Sequence, residues 1–312
     1  MRSSTTHGLA GMRLGVFGKG GSGKSTLTVI LAKCLQLLGY NVCILDADST
    51  NVGMNSVLGI PRAPLPLIDW FGGTVFSGGT VTCPVDDPTP LVNSKVSVED
   101  LPVEYEARTD DGILLLEAGK VTGRGPGAGC DGPIAKIARD LWIESNGPHP
   151  VMVIDFKAGL EDSARGVLTN LDWGLVVVEP TAPAIELAAK LKQISDEIRA
   201  GHKPATAHIR SRVLARLVES LYEQSRLLGI ETILNRVDND ATASYLTDRL
   251  ARYGLFPVAS IPMDTSIALS WLRMEPIDVL PFIHFLEPAI DRLEIATDRR
   301  GPWHGRPLLK EV

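Results

Sequence analysis

The stretch GKGGSGKST, residues 18–26, decides how this chain is read. Gly18, Gly23, Lys24 and Ser25 fall on the G-x-x-x-x-G-K-S/T spacing of a phosphate-binding loop. RLGVFG (13–18) ahead of it has the composition of a strand. Leu27, Leu31, Cys34 and Leu38 behind it mark one stripe of a helix. Such a loop needs that setting, because glycines let backbone N–H groups turn inward and the helix N-terminus adds its positive dipole end. Gly20, Gly21, Ser22 and Thr26 complete the candidate cradle. Lys24 is expected to reach the β- and γ-phosphates and Ser25 to ligate Mg²⁺. The second position, Lys19, is a cation that an ordinary phosphate loop does not need.

Outward from the loop, short β-branched runs alternate with amphipathic stretches. Strands are expected at 13–18, 41–46, 112–117, 150–155, 173–179, 230–235 and 256–261, with further helices near 131–143, 183–200, 210–228, 240–253 and 282–297. The alternation predicts an α/β fold, a doubly wound and mostly parallel sheet with helices on both faces. Residues 13–298 are read as one domain with insertions at 60–111 and 201–228, flanked by tails at 1–12 and 299–312. The first insertion is Pro-rich (IPRAPLP, PVDDPTP). The second carries a basic amphipathic helix, read as a solvated face.

The chain has 312 residues, 44% of them hydrophobic, and a net charge of -6. That charge gives no footprint for nucleic acid or an acidic membrane surface. The four cysteines, Cys34, Cys43, Cys83 and Cys130, form no C-x-x-C pair. Cys34 and Cys43 sit on apolar faces and are expected in the core. No apolar run approaches the roughly 18 residues of a membrane span, so a cytoplasmic protein is expected.

Two more segments carry chemistry. LDADSTN (45–51) places Asp46 and Asp48 at a strand's carboxyl end, where open α/β sheets bind ligands. Asp48 is the candidate for orienting or deprotonating an attacking water, and Asp46 for the outer shell of Mg²⁺. VMVIDFKAGLED (151–162) is an apolar strand ending in Asp155, the arrangement of a carboxylate that holds Mg²⁺ through water. The N–H of Gly159 could sense a γ-phosphate. ILNRVDND (233–240) ends a strand on Asn235, with Asp238 completing a near-match to a guanine-reading motif. Pro262, in SIPMD, is read as a wall of the base pocket.

Together GKGGSGKST, DADSTN and DFKAGLED resemble the deviant Walker A ATPases: the nitrogenase iron protein, the Min and Par partition ATPases, and the nickel-insertion ATPases of carbon monoxide dehydrogenase. The resemblance spans most of residues 13–280. It implies ATP with Mg²⁺, contact of Asn235 with adenine, and a nucleotide-sandwich homodimer in which Lys19 reaches the partner's phosphates. DFKAGLEDSARG resembles the switch of the nickel group, with Lys157 in place of a glutamate. GRGPGAGCDG (123–132) resembles the iron protein's cysteine loop, with Cys130 at the cluster-ligating position.

Residues 155–172 contain no second cysteine, unlike the iron protein. Two Cys130 thiolates across a dimer axis could still share one soft metal ion, or part of an iron–sulfur cluster, with Asp131 assisting. The function expected from the resemblance is a dimeric ATPase that assists metallocentre or cofactor maturation in a client metalloenzyme. The alternatives are a partition or positioning ATPase and an electron-donating ATPase like the iron protein.

Overall fold

The computed structural model describes residues 8–72, 81–120, 131–207 and 209–298. Among them an eight-stranded sheet forms the centre. Its strands are β1 (Arg13–Gly18), β2 (Val42–Asp46), β4 (Ala107–Arg108), β5 (Leu114–Glu117), β7 (Val151–Asp155), β8 (Trp173–Val178), β9 (Gly229–Asn235) and β10 (Pro257–Ile261). They lie in the order β10-β9-β8-β1-β7-β2-β5-β4. All pairings are parallel except that of the short β4 with β5. Two further strands, β3 (Lys95–Ser97) and β6 (Trp142–Glu144), pair on their own. The seven strands expected from the sequence are the seven parallel members of the sheet.

The central strands are buried along their whole length, which is why they read as continuous apolar runs rather than as alternations. Alternate residues of each strand enter one of two cores. Leu14, Val16, Ile44 and Val153 face α1 (Lys24–Leu37) and α10 (Ile283–Asp298). Phe17, Leu45, Ile154 and Val176 face the other side, under α4 (Gly132–Asp140), α6 (Ala182–Arg199) and α8 (Asp240–Ala251). Cys34 and Cys43 lie in these cores, their thiols pushed up to about 12 chiefly by burial.

β1 lies between β7 and β8, so the chain leaves it toward one half of the sheet and later crosses to the other. Its carboxyl end is the switch point at which such sheets bind ligands.

The described residues of both insertions contact the body of the domain. The first holds α3 (Leu67–Trp70) and β3, after the short α2 (Met54–Val57). It puts Leu67, Val81, Leu91, Val96 and Leu101 into the core beneath α4. Lys136 of α4, 2% exposed, ties it down through Asp87 at 3.0 Å. In the second, α7 (Arg212–Glu223) starts from Ser211, whose hydroxyl accepts from the N–H of Leu214. None of its residues is fully buried. Among the described residues four helices were not foreseen: the single-turn α2, α3 and α5 (Glu161–Ala164), and α9 (Thr265–Arg273), which also has no fully buried residue.

Beside the stacked rings of Phe17 and Phe156, 4.8 Å apart, the sheet has room only for a glycine at position 15. A Cβ there would stand 2.4 Å from Leu171 and 2.9 Å from both rings. Gly15→Ala is therefore expected to destabilise the fold by about 1–3 kcal/mol through overpacking, seen as a lower midpoint in urea unfolding.

Candidate functional site

The loop between β1 and α1 is shaped by its glycines. Gly21 (φ 79°) and Gly23 (φ 92°) take the left-handed conformation. A Cβ on Gly23 would also approach the Asn235 amide nitrogen to 2.3 Å. α1 starts at Lys24 with no side-chain cap and no acidic residue in its first turn, so its N–H groups remain available to an anion. The loop opens on a cavity of about 740 Å³ walled also by Asp48, Asn51, Arg236, Pro262 and Trp271.

Sheet register explains the acidic side of the cavity. Asp46, at the end of β2, pairs with Asp155 of β7 on one side and Glu117 of β5 on the other. Three carboxyl groups therefore form a row along the sheet's carboxyl edge. Burial pushes Asp155 up to about 7, with Asp46 adding repulsion. Burial likewise pushes Asp46 up to about 6 and Glu117 up to about 7. Lys120 opposes both of these shifts, donating to Asp46 Oδ2 at 2.5 Å.

The Ser25 hydroxyl donates to Asp155 Oδ2 at 2.6 Å. The Asn51 amide nitrogen lies 3.2 Å from Ser25 Oγ, 3.4 Å from Asp155 Oδ2 and 3.5 Å from Asp46 Oδ2. Three hard oxygens thus converge on one donor, and Asp155 Oδ1 is buried without a hydrogen-bond partner among the described residues. Such a donor set suits Mg²⁺ completed by phosphate and water. Asp48 lies against the cavity with its Oδ1 held by the Thr50 N–H at 3.0 Å and hydroxyl at 2.7 Å.

The remaining residues singled out in the sequence fall as follows. Lys19 is at the loop's outer edge, its side chain 46% exposed and 3.7 Å from Glu179 of its own chain. Lys24 is 6% exposed. The Gly159 N–H is bonded to the Gly18 carbonyl at 3.2 Å, which ties the segment after β7 to the loop. The Asn235 amide donates to the Ser22 carbonyl at 2.7 Å, so it buttresses the cradle. Pro262 is in the cavity wall with Met263 and Asp264. Cys130 lies outside the described residues. Asp131 does not stand free for a metal: one carboxylate oxygen accepts from Ser49 and the other from Lys157, each at 2.5 Å.

Sequence reasoning missed Glu117, Lys120, Asn51, Arg236 and Trp271. Glu117 and Lys120 carried a signal, since LLLEAGK repeats the strand-end pattern of VMVIDFKAG. Arg236, which donates to the Gly21 carbonyl at 2.7 Å, and Trp271, which donates to the Thr26 hydroxyl at 2.9 Å, carried none. They reach the loop only through the fold.

The family profile of the CobQ/CobB/MinD/ParA nucleotide binding domain matches residues 16–277, which span the loop, the carboxylate row and the base-side wall. The chain belongs to this family. An uncharacterised ATP-binding protein of Methanocaldococcus jannaschii is 30% identical over 60% of this chain and 74% of its own length. The carbon monoxide dehydrogenase accessory protein CooC of Rhodospirillum rubrum is 27% identical over 82% of this chain and 85% of its own. Among solved structures, the septum site-determining protein MinD of Pyrococcus horikoshii, complexed with Mg-ADP, superposes with a TM-score of 0.51 at 17% identity, covering 93% of this chain and 96% of its own. The fold and nucleotide-binding class expected from the loop are those of the family. Among the described residues, no helix is long and apolar enough to cross a membrane.

Gly23→Ala is expected to weaken nucleotide binding at least about tenfold, because strain at positive φ and collision with Asn235 both distort the cradle; equilibrium titration with a fluorescent nucleotide measures it. The acidic row also predicts a pH trend for metal-free, nucleotide-free protein. Asp155 and Asp46 keep their protons in the folded state up to about 7 and about 6, whereas the unfolded chain releases them near the ordinary carboxylate range. The folded state then binds more protons than the unfolded, so stability falls as pH rises from about 4 to about 7. Denaturant midpoints across that range are expected to show a smaller pH trend in Asp155→Asn, which removes that residue's share.

Proposed function

We propose that this protein is a homodimeric, Mg²⁺-dependent ATPase that acts as a switch in maturing the metal centre of a client enzyme. One observation supports the chemistry above the others: Ser25 and Asp155 are drawn to 2.6 Å at the foot of a phosphate loop that carries a second lysine. Lys24 stands where it can bind the phosphates. Mg²⁺, held by Ser25 and through water by Asp155, with Asp46 in the outer shell, would offset charge on the β- and γ-oxygens. Asp48, held by Thr50 at the cavity wall, orients or deprotonates the attacking water.

Lys19 has a different task. It is half exposed, and its nearest carboxylate is a distant 3.7 Å, so little holds it in its own subunit. A cation supplied across a dimer interface stabilises charge developing on the transferred phosphoryl group, and it does so only when the subunits meet. The maturation role rests on the similarity to the carbon monoxide dehydrogenase accessory protein, which runs through more than four fifths of both chains. Cys130 from each subunit is the proposed point for a soft metal ion or cluster as cargo.

Lys19→Ala is expected to abolish ATP-driven dimerisation and to reduce hydrolysis at least about a hundredfold, with nucleotide affinity within about twofold of wild type. Lys24→Ala is expected to lose affinity itself. Normal turnover by Lys19→Ala contradicts the trans-lysine mechanism. For the cargo role, metal analysis of anaerobically purified dimer is expected to find metal in wild type and a loss of it in Cys130→Ser; equal, near-zero content in both removes that role.

A further inference from the structure

Lys120 is absent from the phosphate loop and from both strand-end motifs, yet it holds the middle of the acidic row. The chain reaches that position by steps that are all visible. β5 ends at Glu117, and the Ala118 N–H still bonds the Asp46 carbonyl at 2.9 Å, so the backbone follows β2 one residue past its end. Gly119 then packs so closely on α4 that a Cβ would meet Ile134 at 2.8 Å. From there the Lys120 side chain, 12% exposed, crosses the sheet edge. Its ammonium donates to Asp46 Oδ2 at 2.5 Å and to the Asp48 carbonyl at 3.0 Å.

Of the other lysines near the row, Lys157 is engaged with Asp131, and Lys24 acts on the Asp155 end. Other contacts to Asp46 are the Asp48 N–H at 3.1 Å and the long one from Asn51 at 3.5 Å. One ammonium therefore fixes both a carboxylate and the backbone that carries the next one.

We propose that Lys120 is a positioning residue for ATP hydrolysis: it fixes the Asp46 carboxylate and the Asp48 carbonyl together, and so sets how the site accepts Mg²⁺ and where Asp48 stands. The inference rests on the ATPase reading above. It deepens that reading by assigning a residue that reaches neither phosphate nor water and acts through Asp46 and Asp48. Because a charge-assisted contact is removed without touching the phosphate loop, binding of nucleotide alone is spared while metal-linked binding and turnover suffer.

The test compares wild type with Lys120→Met, Lys120→Arg, Asp46→Asn and the Lys120→Met/Asp46→Asn double variant. Binding of a fluorescent ADP is titrated in EDTA and then against added Mg²⁺; kcat and KM for ATP are measured separately. Lys120→Met is expected to bind the nucleotide in EDTA within about twofold of wild type and to need at least about fivefold more Mg²⁺ for half of the metal-dependent gain. Its kcat is expected to fall at least about tenfold with KM within about twofold. Lys120→Arg keeps the Mg²⁺ requirement within about twofold, and the double variant is no worse than Asp46→Asn.

An unchanged Mg²⁺ requirement in Lys120→Met overturns the proposal. So does an arginine variant as impaired as the methionine one, or losses that add in the double variant. If Lys120→Met does not fold, Lys120→Gln takes its place in every comparison. Wild type that hydrolyses no ATP sinks the ATPase reading, while the Mg²⁺-linked binding comparison still judges Lys120.

Discussion

Asp155, Asp46 and Glu117 end three neighbouring parallel strands in register, which sets their carboxyl groups on strands about 5 Å apart. Burial and mutual repulsion oppose charging all three at once, and the raised values of each reflect that conflict. The rest of the site is arranged around it. Lys120 compensates the middle of the row, Ser25 and Asn51 donate into the Asp155 end, and the phosphate loop stands over that end with Lys24. A row of this kind is a poor resting arrangement and a good receptor for a divalent cation that arrives with phosphate.

The same edge is linked to more distant parts of the chain. Asp131 stands just before α4 and is held by Ser49 from the segment after β2 and by Lys157 from the segment after β7. Those two segments flank the cavity, and α4 is the helix to which the first insertion is anchored through Lys136. Lys157, the departure from the nickel-group pattern, thus has a partner in Asp131, one residue beyond Cys130 in the chain.

What the sequence disclosed and what it hid follow from how each feature is encoded. Parallel strands buried on both faces leave long apolar runs, and the phosphate loop has a fixed spacing, so the sheet, the loop and the strand-end aspartates could be read locally. Asn235 was placed at the right strand end, but its amide faces the Ser22 carbonyl, an orientation set by the approach of β9 to the loop. Arg236 and Trp271 arrive at the loop from more than two hundred residues away, and no local pattern marks them. α9 was not foreseen, and none of its residues is fully buried, whereas the amphipathic pattern of α7 marked that helix within a few residues of its ends. Glu117 and Lys120 were readable in principle, because each of two apolar strands ends in an acid with an Ala-Gly pair and a lysine within the next four residues.

In the proposed function each nucleotide site takes Lys24 from its own subunit and Lys19 from the other. Mixing the two singly inactive variants, Lys19→Ala and Lys24→Ala, separates this arrangement from a site built within one subunit. In a mixed dimer the Lys19→Ala subunit keeps its own Lys24 and receives Lys19 from its partner, so one of the two sites is complete. Random exchange at equal concentrations then predicts recovery of up to about a quarter of the wild-type phosphate-release rate. A mixture that stays as inactive as either variant alone, under conditions where subunit exchange is demonstrated, contradicts the claim.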